Sequence, residues 1–339
     1  MTSDRSKSTV TERITLSAIV VLLVLFAGGC AEKSVAPPKP DSLSQFDGVT
    51  GRKTLNTFDG LELFAQYWIP SSEQKASVLL LHSTTMHSGA YSELARYLAA
   101  NSYLVYGLDL RGWGRSEGHG SKGYVASHDR YVSDVKLAIE HLKEQSPEQD
   151  LYVIGESLGA TVSMYGYLKH DLPFDGMIFS GPGYKPNVEL LGLRGPQTMH
   201  SLSMGLGAEL GEWVPGWPTL PSDIGLRMVI DDPKMQERLL NDPHVSHAWL
   251  PAAYLTALSE ADAYNREHIQ RLDRPLLVLH GKRDMLIPVS SSEEIIKRSS
   301  SKDATLKVYD SNHATLLDTK RFKAYKDIVS WLDNRQKSP

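Results

Sequence analysis

Along the chain, apolar residues gather in short unbroken runs separated by amphipathic stretches, and that rhythm dictates an element order. Residues 54–70 (TLNTFDGLELFAQYWIP) carry β-rich arms on either side of Asp59-Gly60, which predicts a hairpin turning at that pair. Residues 76–82 (ASVLLLH), 104–110, 151–155, 176–180 (GMIFS) and 276–280 (LLVLH) are apolar nearly throughout and predict strands buried on both faces. Between them, residues 88–100 place Tyr91, Leu94, Leu98 and Ala99 near one helical face. Residues 131–142 predict a second helix, a third begins at Ser157 or just after it, and a last covers 320–334. Residues 304–309 alternate, as an edge strand does. Apolar strands separated by helices predict an α/β fold, with a mostly parallel central sheet flanked by helices.

Between 184 and 271 the rhythm breaks. This stretch holds no clear buried strand, but it carries Trp213, Trp217, Trp249, Met199, Met204, Met228 and Met235. It predicts a mostly helical cap inserted at one edge of the sheet, dividing the core into 52–183 and 272–339. An ordinary packed subdomain and an adaptable apolar acyl pocket both suit this composition, and one element can be both. At the other end, residues 1–13 are polar and charged, 14–26 are apolar, and Ala27-Gly28-Gly29 are small. That order predicts a secretory signal peptide over 1–29, its apolar run being shorter than the ~20 residues of a spanning helix. Residues 30–51 are rich in Pro, Ser and charge and predict a flexible tether.

The composition narrows the function. The chain has 339 residues, 41% hydrophobic and 22% charged, which excludes a disordered, collagenous or coiled-coil protein. Basic and acidic residues number 36 and 40, so no basic footprint for nucleic acid exists. One Cys excludes an internal disulfide framework and any multi-cysteine metal centre. Its position directly after the small triplet resembles the lipobox of bacterial lipoproteins, with Ala27 where that motif usually has Leu. The resemblance implies lipidation of Cys30, cleavage before it and attachment to a membrane of the bacterial envelope; several acyl chains make a stable anchor. Ala31 after the Cys favours the outer membrane by resemblance to enteric sorting rules. The alternative is an uncleaved signal-anchor with an incidental Cys.

The sharpest chemical signal is Gly155-Glu156-Ser157-Leu158-Gly159, between the strand LYVI and the helical ATVSMYGYLKH. A G-x-S-x-G motif in a strand–turn–helix context is a nucleophile elbow: glycines permit the tight turn, which thrusts the serine hydroxyl above the sheet. The turn leaves the Leu158 N–H free at a helix N-terminus, where partial positive charge suits an oxyanion. A hydroxyl needs a base, and the base needs an acid to fix its tautomer. Asp284 follows the strand LLVLH and His313 follows the strand ATLKVY, so Ser157, Asp284 and His313 stand in the order found in α/β-hydrolases. Asp310 and Asp318 are rival acids near His313, but neither follows a strand at the expected place. Glu156 points away from Ser157 in such an elbow, which predicts a structural role. His244 and His247 lack a third ligand and do not make a metal site.

The loop after the first buried strand, His82-Ser83-Thr84-Thr85-Met86-His87-Ser88-Gly89-Ala90-Tyr91, resembles the H-G-x-x-x-H-S-x-x-Y stretch of the monoacylglycerol lipase/lysophospholipase branch of α/β-hydrolases, the serine aminopeptidase S33 or hydrolase-4 group. Residues 109–118 (DLRGWGRSEG) are similar to the same branch's D-x-R-G-H-G-x-S-x-G loop. The resemblance spans about 54–331 and implies that the backbone of Thr84 and Leu158 forms the oxyanion hole. Ser83 replaces the usual Gly, which alters the hole's shape and leaves open a role for the Ser83 or Thr84 hydroxyl. Trp113 replaces a usual His, which predicts loop packing. The glycines of 112–118 do not fit a dinucleotide fingerprint.

The expected function is thus a membrane-anchored serine hydrolase that forms an acyl-enzyme on Ser157 and cleaves small-molecule carboxylic esters. The resemblance and the apolar insertion imply monoacylglycerol- or lysophospholipid-like amphiphiles, with no metal or organic cofactor. An acyltransferase, thioesterase or peptidase using the same triad, or a non-catalytic binding lipoprotein, are the alternatives.

Overall fold

The computed structural model describes residues 51–183, 218–220 and 222–336. The expected signal peptide, Cys30, nearly all of the expected tether and Met199, Met204, Trp213 and Trp217 lie outside the described residues. Among the described residues ten strands occur in chain order: β1 (Gly51–Asn56), β2 (Glu62–Trp68), β3 (Ala76–Leu81), β4 (Tyr103–Leu108), β5 (Leu151–Glu156), β6 (Gly176–Ser180), β7 (Pro218–Leu220), β8 (Leu250–Pro251), β9 (Leu276–Gly281) and β10 (Ala304–Tyr309). Eight of them form one sheet in the order β1-β2-β4-β3-β5-β6-β9-β10. The hairpin strands pair antiparallel, β2 pairs antiparallel with β4, and every other pairing in the sheet is parallel.

Alternation along the strands divides the core between the two faces. Leu79, Leu81, Val153, Met177, Phe179, Leu276 and Val278 point to one face, while Val78, Leu80, Ile154, Ile178, Leu277 and Leu279 point to the other. Helices α2 (His128–Gln145) and α3 (Leu158–His170) cover the first face; α1 (Ser92–Ala100) and α8 (Arg321–Asp333) cover the second. Helix α3 is buried over nearly its whole circumference, because β5, α2 and the insertion all pack on it. β10 closes one edge, with its middle residues half-buried or exposed, as its alternation predicted.

The insertion is not at an edge of the sheet, contrary to the expectation from sequence. It leaves after β6 and returns at β9, which are hydrogen-bonded neighbours inside the sheet. It runs instead against the loops at the carboxyl ends of the strands. Ser246 N–H donates to Thr85 O at 2.8 Å, Ala314 N–H donates to Val229 O at 2.9 Å, and Asn265 Nδ2 donates to Thr161 O at 3.2 Å. Its described part contains α4 (Ser222–Val229), α5 (Pro233–Leu240) and α6 (Ala252–His268), with a small antiparallel ribbon of β7 and β8 that the pattern did not predict. Helix α7 (Val289–Arg298) was also missed, since SSSEE masks its apolar spacing. Among the described residues no helix is long and apolar enough to cross a membrane.

Candidate active site

Ser157 sits between β5 and α3 with φ 51° and ψ −108°, a left-handed conformation that a non-glycine residue adopts only under constraint. Its N–H donates to Ser180 O at 2.8 Å and its carbonyl accepts from Thr161 N–H at 3.0 Å, so neighbouring elements hold the turn. The flanking glycines are a steric requirement. A Cβ on Gly155 would lie 2.4 Å from the backbone of Gly159, and one on Gly159 would lie 2.2 Å from Leu81 O. The close approach presses the first turn of α3 against the end of β3, where the loop of residues 82–91, the expected oxyanion loop, begins.

Asp284 and His313 arrive from the loops after β9 and β10. His313 Nε2 lies 2.9 Å from Ser157 Oγ, and Nδ1 lies 2.7 Å from Asp284 Oδ2. The residues expected from chain order are therefore brought into one hydrogen-bonded line. Asp284 Oδ1 also accepts the N–H groups of Leu286 and Ile287, and His280 Nε2 lies 3.2 Å from Oδ2. Burial pushes the Asp284 carboxyl up, but His313, His280 and the Ile287 N–H outweigh it and hold it well below the usual carboxylate range. Burial likewise lowers the His313 imidazole, yet the charge and hydrogen bond of Asp284, with the charge of Glu156, raise it above the ordinary histidine value.

Glu156, inside the elbow but turned from Ser157, joins three loops. Its carboxylate accepts from Tyr91 Oη at 2.8 Å, Ser180 Oγ at 2.9 Å and Leu316 N–H at 2.9 Å, and it is fully buried. Burial raises its pKa, against the pull of those three donors. Tyr91 Oη in turn accepts the Ser83 N–H at 3.1 Å. That N–H is thereby spent, while among the described residues the N–H groups of Thr84 and Leu158 donate to no protein acceptor.

The rest of the oxyanion loop is braced from outside. Thr85 is β-branched at φ 68°, and Ser246 of the insertion holds its carbonyl. His87 Nδ1 accepts the Gly89 N–H, which leaves Nε2–H to donate to Asp242 Oδ2 at 3.0 Å. Asp109 receives Ser88 N–H at 2.7 Å and Arg115 N–H at 2.9 Å, so the DLRG loop is a support for the oxyanion loop. Arg111 spans Asp134 and Asp59, tying the hairpin turn to α2. Trp113 is fully buried, donates Nε1–H to Tyr131 Oη at 2.9 Å and stands edge-on to Tyr254, which is packing and not a substrate contact.

The rival acids have other work. Asp310 is exposed and pairs with Arg283. Asp318 is fully buried and accepts the N–H groups of Asp231, Asp232, Thr319 and Asn312, fastening the His313 loop to the insertion. His244 stands edge-on to His87, and among the described residues no group of three or more His, Cys, Asp or Glu could hold a metal ion. Sequence reasoning missed the parts played by Asp318, Asp242 and Tyr254. For Asp318 its place close to His313 in the chain was a visible signal; for the other two no local pattern marks the partner.

Known proteins support the same fold and branch. The family profile of serine aminopeptidase, S33, matches residues 72–320. A monoacylglycerol lipase of Mycolicibacterium smegmatis is 27% identical over 274 residues, covering 80% of this chain and 93% of its own length. The monoglyceride lipase of Mus musculus is 28% identical over 281 residues, covering 82% and 88%. Among solved structures, a soluble variant of Saccharomyces cerevisiae monoglyceride lipase with a substrate analog aligns at a TM-score of 0.75 and 23% identity, over 89% of this chain and 100% of that one. With the profile spanning most of its length, the chain belongs to the serine aminopeptidase S33 (hydrolase-4) family, as an α/β-hydrolase of the monoacylglycerol lipase-like branch and a carboxylic ester hydrolase.

Proposed function

We propose that this protein is a membrane-tethered serine hydrolase that cleaves monoacylglycerol- or lysophospholipid-like esters through an acyl-enzyme on Ser157. The observation that carries the reading is the line Asp284–His313–Ser157, with contacts of 2.7 and 2.9 Å. In this reading His313 takes the Ser157 proton as Oγ attacks the ester carbonyl. The tetrahedral oxyanion is met by the Thr84 and Leu158 N–H groups, the second at the positive end of α3. His313 then protonates the leaving alcohol, and water, deprotonated by His313, releases the fatty acid. Asp284, held ionised, fixes the imidazole tautomer and balances the charge it acquires. The relatives named as monoglyceride lipases support an amphiphilic substrate. A lipidated Cys30 in the bacterial envelope, with the outer membrane favoured, would bring the enzyme to such lipids.

Fluorophosphonate labelling tests the nucleophile: the wild type is expected to label and Ser157→Ala to remain unlabelled, whereas labelling that persists in Ser157→Ala rules Ser157 out. The acid limb of kcat/KM tests the base. His313 must be neutral to accept a proton, so the rate is expected to rise with pH through a midpoint above about 6.5, the ordinary histidine value. Asp284→Asn is expected to cost roughly 10³–10⁴ in kcat and to move that midpoint down, because burial then acts without its counter-charge. An unmoved midpoint would exclude Asp284 as the partner. For the anchor, Cys30→Ser is expected to release the protein from membranes; retention at the wild-type level would point to a signal-anchor.

A further inference from the structure

The mechanism above leaves one pair of hydroxyls without a task. Tyr254, on α6, is 1% exposed, and its Oη lies 2.5 Å from Thr84 Oγ1. A buried phenol proton must find an acceptor. Among the described residues, Thr84 Oγ1 is the acceptor in reach of Tyr254 Oη. Burial raises the phenol's pKa, so Tyr254 keeps its proton; either hydroxyl can donate in this contact, and donation from Tyr254 Oη is the direction that satisfies the buried phenol proton. The proton on Thr84 Oγ1 is then not engaged by Tyr254. Thr84 is half-buried.

The topology puts Thr84 beside the Ser157 turn. In the β3–β5 pairing Leu81 is opposite Gly155, so Thr84 and Ser157 follow the carboxyl ends of neighbouring strands. The first turn of α3 closes on Leu81 O and His82 O, at 2.2 and 3.0 Å from the position of a Gly159 Cβ. Ser83, the departure that left the hole's shape open, is not a rival backbone donor, since its N–H is held by Tyr91. Thr84, whose N–H meets the oxyanion in the proposed mechanism, therefore carries a second donor in its own side chain.

We propose that the Thr84 hydroxyl is a third donor to the oxyanion, aimed by Tyr254. This deepens the serine-hydrolase reading and rests on it. Thr84 Oγ1–H acts on the substrate oxygen directly; Tyr254 is a positioning residue, which occupies the Thr84 lone pair and turns its proton toward the site. A hydroxyl that strengthens its bond only as the oxyanion forms lowers the barrier without tightening ground-state binding.

A double-mutant cycle on Thr84→Val and Tyr254→Phe tests this, with kcat and KM measured on a p-nitrophenyl ester. Thr84→Val keeps the backbone N–H and the side-chain shape but loses the hydroxyl, and is expected to lower kcat about 10–100-fold with KM within about twofold. Thr84→Ser is expected to restore most of kcat. Tyr254→Phe is expected to lower kcat by a smaller factor, and the double variant to be no slower than Thr84→Val alone. The acid limb of the pH profile should stay in place, since His313 is untouched. A wild-type kcat in Thr84→Val, losses that multiply in the double variant, or a loss confined to KM would each overturn the proposal. Were Thr84→Val not to fold, a wild-type kcat in Tyr254→Phe would overturn it alone. Turnover that survives in Ser157→Ala would instead overturn the serine-hydrolase reading, so the two failures are distinguishable.

Discussion

A carboxylate taken out of water must be surrounded by donors, and in this protein that requirement shapes the site. Glu156 lies at the end of β5, one residue before Ser157, with no exposed surface. An ion left unpaired there would cost about 3–5 kcal/mol or more. Three donors meet it, and each comes from a different part of the chain: Tyr91 behind the oxyanion loop, Ser180 at the end of β6 and Leu316 behind His313. The groups that must converge on a substrate carbonyl are thus located by one buried charge beside the serine. Satisfying that charge and assembling the site are the same event.

A second constraint comes from the insertion. It crosses the carboxyl ends of the strands and bonds to the oxyanion loop at Thr84, Thr85 and His87, to the His313 loop through Ala314 and Asp318, and to α3 through Thr161. Thr85 and Ser157 are both held at positive φ, which costs of order 1–3 kcal/mol each and persists only where surrounding contacts over-determine it. The insertion supplies part of that support. Its described part is accordingly a structural partner of the loops that carry Thr84 and His313.

Much of this was legible in the chain. Strands that lie inside a parallel sheet must be apolar on both faces, so β3, β5, β6 and β9 announced themselves, and the alternation of β10 marked an edge. Gly155-x-Ser157-x-Gly159 was readable because sterics leave no other residue at the flanking positions. Asp284 and His313 were readable because the fold places such groups after particular strands. The position of the insertion was not, since sequence order does not state which strands become neighbours, and β6 and β9 are neighbours across nearly a hundred residues. Glu156 was recognised as structural, but its three partners depend on strand register. The Thr84–Tyr254 pair joins residues 170 apart in the chain, and nothing local to either predicts the other.

Amide hydrogen exchange in Glu156→Met tests the role of the buried carboxylate most directly. Methionine keeps the length of the side chain and removes both carboxyl oxygens, leaving only a weakly accepting thioether. The Leu316 N–H bonds to Glu156 itself and the Ser83 N–H bonds to it through Tyr91. The account predicts that these two amides, on opposite loops of the site, lose protection together in a protein whose central strands keep theirs. Wild-type protection at both amides in the folded variant would contradict it.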